Sequence, residues 1–329
     1  MALTRWLPAA AAAAITIGAV ACDQATQPTS TGRVVQAVTG AAHACALTNA
    51  GRVFCWGSND SGQVGAGSRS DHPWPVEVLL GPLGVHRISA GPGATCATLP
   101  GHEALCWGGG DPTPRSLEGS SGVDWLVLGN RICGLASPSV RRCWASLTAA
   151  PSDMALATPL QFLTGGGNQL CGLAVADSTA WCFNIVTDSE LPVGGGHKFT
   201  RLSTTATHTC GLDDGDLIWC WGYNALGQLG TGTTYYYTDT PMGLSGQTGS
   251  DGFVDVVTGG QHSCALFADG SVGCWGNEAY GELGDGTQTP RNQAEPFLTG
   301  LATSTAFTAI ATGGPTTCGI DHGGALYCW

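Results

Sequence analysis

The chain holds a single lysine, Lys198, among its 329 residues, and only 11% of them are charged. Twelve basic side chains stand against 24 acidic ones, a net charge of −12. Nucleic-acid binding draws most of its affinity from Lys and Arg neutralising phosphates. No basic cluster exists to supply that here, which excludes nucleic acid as a partner. Also missing, outside the N-terminus, is any long run of Leu, Glu, Lys and Ala at the 3.6-residue period of an amphipathic helix. What the chain has instead is 51 glycines and 17 prolines, the residues of tight turns between short strands. An all-β domain follows.

Residues 1–21 are of another kind. Arg5 precedes the apolar run "WLPAAAAAAITIGAVA", and small residues lead up to Cys22. A positive charge, a short apolar stretch and small residues at a cleavage point predict an export signal. The run is short for a membrane-spanning helix. "AVAC" resembles the bacterial lipobox, in which the cysteine is lipidated, although Ala19 stands where leucine is usual. Cys22 is therefore the predicted lipidation site. Residues 22–33 are polar and read as a flexible tether, and the folded domain is expected over 34–329.

Cysteine arithmetic supports this division. Setting aside Cys22, the other fourteen of 15 cysteines fall into pairs: Cys45 and Cys55, Cys96 and Cys106, Cys133 and Cys143, Cys171 and Cys182, Cys210 and Cys220, Cys264 and Cys274, Cys318 and Cys328. Nine residues intervene in six pairs and ten in the Cys171/Cys182 pair. Each pair sits in one copy of a repeat. A strand-like run ends in glycine or a polar loop, the first cysteine follows, and a turn leads to a strand ending at the second. Tryptophan succeeds that cysteine as Trp56, Trp107, Trp144, Trp221, Trp275 and Trp329, with Phe183 in the fourth copy. Three copies continue into glycine-framed loops, "GSNDSGQVGAG", "GYNALGQLGTG" and "GNEAYGELGDG". A proline-led strand often closes the unit. Several short strands per unit, repeated seven times, predict a seven-bladed β-propeller whose blades cover one another's apolar faces.

The stretches "HSCALFADGSVGCWGNEAYGELGDGT" and "HTCGLDDGDLIWCWGYNALGQLGTGT" resemble the regulator of chromosome condensation repeat family. The likeness runs over about 34–329, strongest in copies one, five, six and seven, in the form of an exported bacterial type with a disulfide in each blade. It implies the seven-bladed fold and leaves function open. The guanine-nucleotide exchange role of eukaryotic family members is not carried over, because the export signal, the paired cysteines and the acidic charge oppose a nuclear or cytosolic site.

Three readings compete for the cysteines. A zinc site needs four ligands, and His-x-Cys with a second cysteine gives three. The histidine is also replaced by Ala94, Arg131, Gln169 and Thr316 in four copies. A catalytic thiol would occur once. Cys45 and Cys55 are equidistant from Ala50, so a hairpin brings them opposite each other, about 4.5–5.5 Å apart at Cα and within disulfide range. Seven disulfides fit spacing, parity and export, each contributing about 2–3 kcal/mol if chain entropy dominates. The extra residue in the fourth copy predicts a bulge or a longer loop. His43, His208 and His262 are expected to hydrogen-bond within their own blades, and the alanines beside Cys45 to leave room for a neighbouring blade's tryptophan.

No active site, metal site or cofactor emerges. "DDGD" at 213–216 suits a hairpin turn, and six calcium ligands cannot be assembled around it. Binding is better supported. Tyr235, Tyr236 and Tyr237 lie in a connecting loop, with Trp74 as a second candidate, and such aromatics are favoured at contact surfaces. The leading expectation is an exported, lipid-anchored, monomeric module that binds a protein or a glycan and touches the membrane only through its anchor. A polysaccharide-acting hydrolase is one alternative, signalled by carboxylates converging on the central channel. A structural envelope protein without a ligand is the other. The chain stops at "LYCW", short of the expected last strand, which predicts a C-terminally truncated last unit in preference to an open edge.

Overall fold

Strand-turn-strand units with a two-residue alternation cannot bury both faces alone, and seven of them solve the problem by stacking in a ring. The computed structural model describes residues 32–81, 84–297 and 306–329, and these form seven antiparallel sheets in chain order. The predicted signal, nearly all of the tether and Cys22 lie outside the described residues. Blade 1 comprises Val34–Thr39, His43–Thr48, Val53–Gly57 and His72–Val78. Blades 2 to 6 repeat this four-stranded meander, and blade 7 has three strands, Phe307–Gly313, Thr316–Asp321 and Leu326–Cys328.

The first strand of every blade lies innermost. Each touches its counterparts in the adjoining blades, and the first strand of blade 7 meets that of blade 1, so the ring is closed. Its turns crowd around the axis, which is why glycine recurs there. A Cβ on Gly91 would come within 2.4 Å of the Leu128 carbonyl oxygen, and one on Gly313 within 2.3 Å of that of Thr39. No other residue fits at that separation.

Between blades lie seven apolar layers built on one plan. The disulfide of one blade is covered by the tryptophan of the next. Cys45 and Cys55 cluster with Leu47, Val53, Ile88 and Trp107; Cys210 and Cys220 with Val256 and Trp275; Cys171 with Phe199 and Trp221. Phe183 does the same for Cys133 and Cys143. At the closure Cys318 and Leu326 pack with Ala44, Ala46 and Trp56. This corrects one expectation. The alanine face receives the preceding blade's cystine, and the neighbouring tryptophan lies on the cysteine face.

Candidate functional site

All fourteen cysteines expected to pair stand directly opposite their partners in the hairpin registers. Seven disulfides join them, with Cα separations of 4.0–4.2 Å. In the fourth blade the extra residue lengthens the turn, because the pairing from Gln169↔Asn184 to Leu173↔Ala180 is unbroken. The turn is longer and there is no bulge.

The histidines depart from expectation, except that His208 Nδ1 does contact Thr207 Oγ1 of its own blade at 3.0 Å. His43 Nε2 lies 2.8 Å from Thr95 Oγ1, His208 Nε2 2.8 Å from Ser263 Oγ, and His262 Nε2 2.9 Å from Thr317 Oγ1. Each bond crosses to the next blade. The hydroxyl in turn donates to a loop carbonyl of the histidine's own blade, that of Gln63, Gln228 or Glu282. Its only proton is thereby committed, so the imidazole donates from Nε2, which for His43 and His262, whose Nδ1 has no partner among the described residues, fixes the neutral tautomer. Burial lowers the histidine pKa to about 4 for His43 and His262. Burial, then the charge of nearby His262, lowers that of His208 to about 3. These side chains are joints between blades, and the Nδ1 atoms of His43 and His262 are buried with no hydrogen-bond partner among the described residues.

The glycine-framed loops complete the joints. Trp107 Nε1 donates to the Gln63 carbonyl at 2.8 Å, and Trp275 Nε1 to that of Gln228 at 2.9 Å. Inside the loops, Asn59 Oδ1 accepts from Val64 N–H while its amide donates to the Ser68 and Ser70 carbonyls. Asn224 repeats this with Leu229 and Thr233. The loops therefore latch blades 1, 5 and 6 to their successors, and the glycines serve backbone closeness.

"DDGD" closes the hairpin as expected. Asp213 Oδ1 accepts from Gly215 and Leu217 N–H, its Oδ2 accepts from Trp219 Nε1, and Asp216 has φ 58°. Among the described residues no group of three His, Cys, Asp or Glu side chains could hold a metal ion.

What remains for binding is the rim and the channel. Tyr235, Tyr236 and Tyr237 are 68%, 73% and 60% exposed, and Trp74 is 69% exposed. The tyrosines lie within blade 5, not between blades: Tyr237 opens its outer strand, Tyr237–Gly243, opposite Tyr223, so the row is fixed. The Tyr236 carbonyl accepts from Asn224 N–H at 3.0 Å, and its ring meets Tyr223 edge-on at 5.1 Å. Partial burial, then Asp239, holds the Tyr237 phenol above its ordinary pKa. Trp74, between Pro73 and Pro75, belongs to the outer strand of blade 1, so it and the tyrosines sit on non-adjacent blades. Tyr280, 77% exposed in the loop of blade 6, is a further surface aromatic that the sequence reading passed over.

The axial channel encloses about 670 Å³ and is lined by all seven inner strands. Its walls are mostly small and aliphatic residues, glycine, alanine, threonine and valine foremost, with Trp125 at its lining. Asp255 is the carboxylate of that lining, and burial raises its pKa. Paired carboxylates of a glycoside hydrolase are not assembled there among the described residues.

Comparison with known proteins agrees with this geometry. The regulator of chromosome condensation (RCC1) repeat matches residues 34–63, 199–228 and 253–282 in one form, and 50–98 and 215–266 in another. The ultraviolet-B receptor UVR8 of Arabidopsis thaliana is 25% identical over 319 residues, covering 94% of this chain and 67% of that protein. The human E3 ubiquitin-protein ligase HERC2 is 28% identical over 270 residues, 80% of this chain; the chain spans only 5% of the ligase's length. Among solved structures, Prp20p of Saccharomyces cerevisiae superimposes with a TM-score of 0.76 at 15% identity, over 90% of this chain and 81% of that one. The ectodomain of the Arabidopsis receptor kinase ACR4 gives 0.60 at 21% identity, over 91% and 96%. Both share the fold.

Proposed function

From the premise that this chain is a seven-bladed propeller carrying regulator of chromosome condensation repeats, we propose that it is a non-catalytic binding module for a protein partner, exported and held at a membrane through a lipid on Cys22. The observation that carries the binding role is the row Tyr235, Tyr236 and Tyr237, three exposed rings on a loop whose backbone is held in place. A large aromatic surface that loses little freedom on contact is what recognition uses. Relatives support the class of partner, since the structure of Prp20p was described together with its binding to Gsp1p and histones. Fourteen cysteines paired in a cystine framework favour an oxidising compartment, and the acidic, lysine-poor chain disfavours nucleic acid. A glycan is the second reading, favoured by the same exposed rings.

The test compares capture by the exported protein with capture by a Tyr235→Ala/Tyr236→Ala/Tyr237→Ala variant and by Trp74→Ala. A partner should lose at least tenfold in affinity for the triple variant, while stability changes by no more than about 0.5 kcal/mol per substitution, as expected for exposed positions. Capture unchanged by the triple variant would remove the tyrosine loop from the reading. Enrichment of glycans alone would replace protein by glycan.

A further inference from the structure

The latch loop of blade 6 differs from its two counterparts in one chemical respect. Where blades 1 and 5 place Asn59 and Gln63, or Asn224 and Gln228, blade 6 places Glu278 and Glu282. Both glutamates are buried, Glu278 at 0% exposure. Glu278 Oε2 accepts from Leu283 N–H at 2.6 Å, just as the asparagine oxygens accept from Val64 and Leu229. The other atom is the difference. In the asparagine loops it is an amide nitrogen donating to the carbonyls of Ser68 and Ser70, or of Thr233. In blade 6 it is Oε1, buried and without a partner among the described residues. An ionised carboxylate can only accept, and a donor is what this position uses elsewhere.

We propose that Glu278 carries a proton in the folded blade, and that losing it to solvent loosens the loop latching blade 6 onto blade 7. The surroundings disfavour a second negative charge. Glu282 lies in the same loop, with its oxygens accepting from Asn277 Nδ2 and Tyr280 N–H. Asp285 is paired to Arg291. Blade 7 presents Thr317 and Trp329 to this loop, and His262 reaches the Glu282 carbonyl through Thr317. Burial raises the Glu278 pKa to about 7; the Leu283 N–H and the charge of Arg291 pull it down, and Asp285 and Glu282 add to the rise. The sign follows. A carboxyl raised above its ordinary 4.5 stabilises the fold fully below that value, and the contribution is lost as pH rises through about 7.

The molecule contains its own control, because Leu229 and Val64 make the same bond to non-titrating asparagines. Hydrogen exchange of these three amides, corrected for intrinsic rates, is followed from pH 6 to pH 8.5 on the full chain. Protection of Leu283 should fall about tenfold or more relative to Leu229 and Val64 across that range. In Glu278→Gln the ratio should become independent of pH, and the folding equilibrium above pH 7 should favour the folded state by on the order of a hundredfold more than in the parent. Parallel behaviour of the three amides in the unaltered protein would overturn the proposal, whether or not the variant folds. So would a pH-dependent ratio that persists in Glu278→Gln.

Discussion

Acidification offers the sharpest test of the interblade joints. His43, His208 and His262 have folded pKa values near 4, 3 and 4 against an ordinary 6.5. As pH falls, the unfolded chain takes up protons first, so stability is fully present above 6.5 and is lost on the way down to those folded values. At pH 5 each histidine costs about 2 kcal/mol, so the three together remove about 6 kcal/mol relative to neutral pH. Glu278 works in the opposite direction and returns about 2 kcal/mol over the same interval. The net loss between pH 7 and pH 5 is then roughly 3 to 4 kcal/mol, a large part of a typical domain's stability. Carboxylates held low by arginines, such as Glu77 and Asp153, titrate below this window and contribute little. The assay is guanidinium unfolding at pH 7, 6 and 5 with disulfides intact, read by tryptophan fluorescence. A His43→Gln/His208→Gln/His262→Gln variant retains side-chain donors but cannot titrate, and its acid limb should disappear. Should the limb survive that replacement at full size, the histidines are not the source and the joint chemistry is misassigned.

Two further outcomes are expected. Thr95→Val leaves His43 Nε2 and the Gln63 carbonyl without their hydroxyl and should cost about 1–3 kcal/mol in chemical denaturation; no loss would show that the bridge contributes nothing net. Cys182 and Cys328 are half-buried while the cysteines of the other five pairs are buried, so mild reduction followed by alkylation should label Cys171, Cys182, Cys318 and Cys328 first. Uniform labelling of all fourteen would contradict this.

The blade count, the hairpin registers and the cystine pairs were legible because each depends on residues a turn apart, where spacing alone sets geometry. The joints were harder to read because they link residues about 50 positions apart. A signal did exist. In every copy where histidine stands two residues before the first cysteine, the next copy has a hydroxyl just before its own: His43 with Thr95, His208 with Ser263, His262 with Thr317. Of the four copies that lack the histidine, two, three and seven are followed by Ile132, Leu170 and Ala44, and only copy four is followed by a hydroxyl, Thr209. Reading the copies in pairs would have exposed the crossing. The same alignment would have shown Glu278 and Glu282 standing where two other loops carry amides. The tyrosine row was visible as a candidate, but its exposure depended on how the loop leaves Asn224, which no local pattern dictates.

Every cystine here closes a hairpin, and none crosses between blades. The ring could therefore come apart completely with all seven bonds intact, leaving a string of pre-registered hairpins. Fourteen cysteines allow on the order of 100,000 pairings by the usual counting, yet each correct partner is the next cysteine along the folded segment. A chain emerging from its N-terminus after Cys22 would meet each right partner before any wrong one. Oxidation in order of emergence solves the pairing problem without reshuffling, and a chain oxidised only after release at full length would not share that advantage.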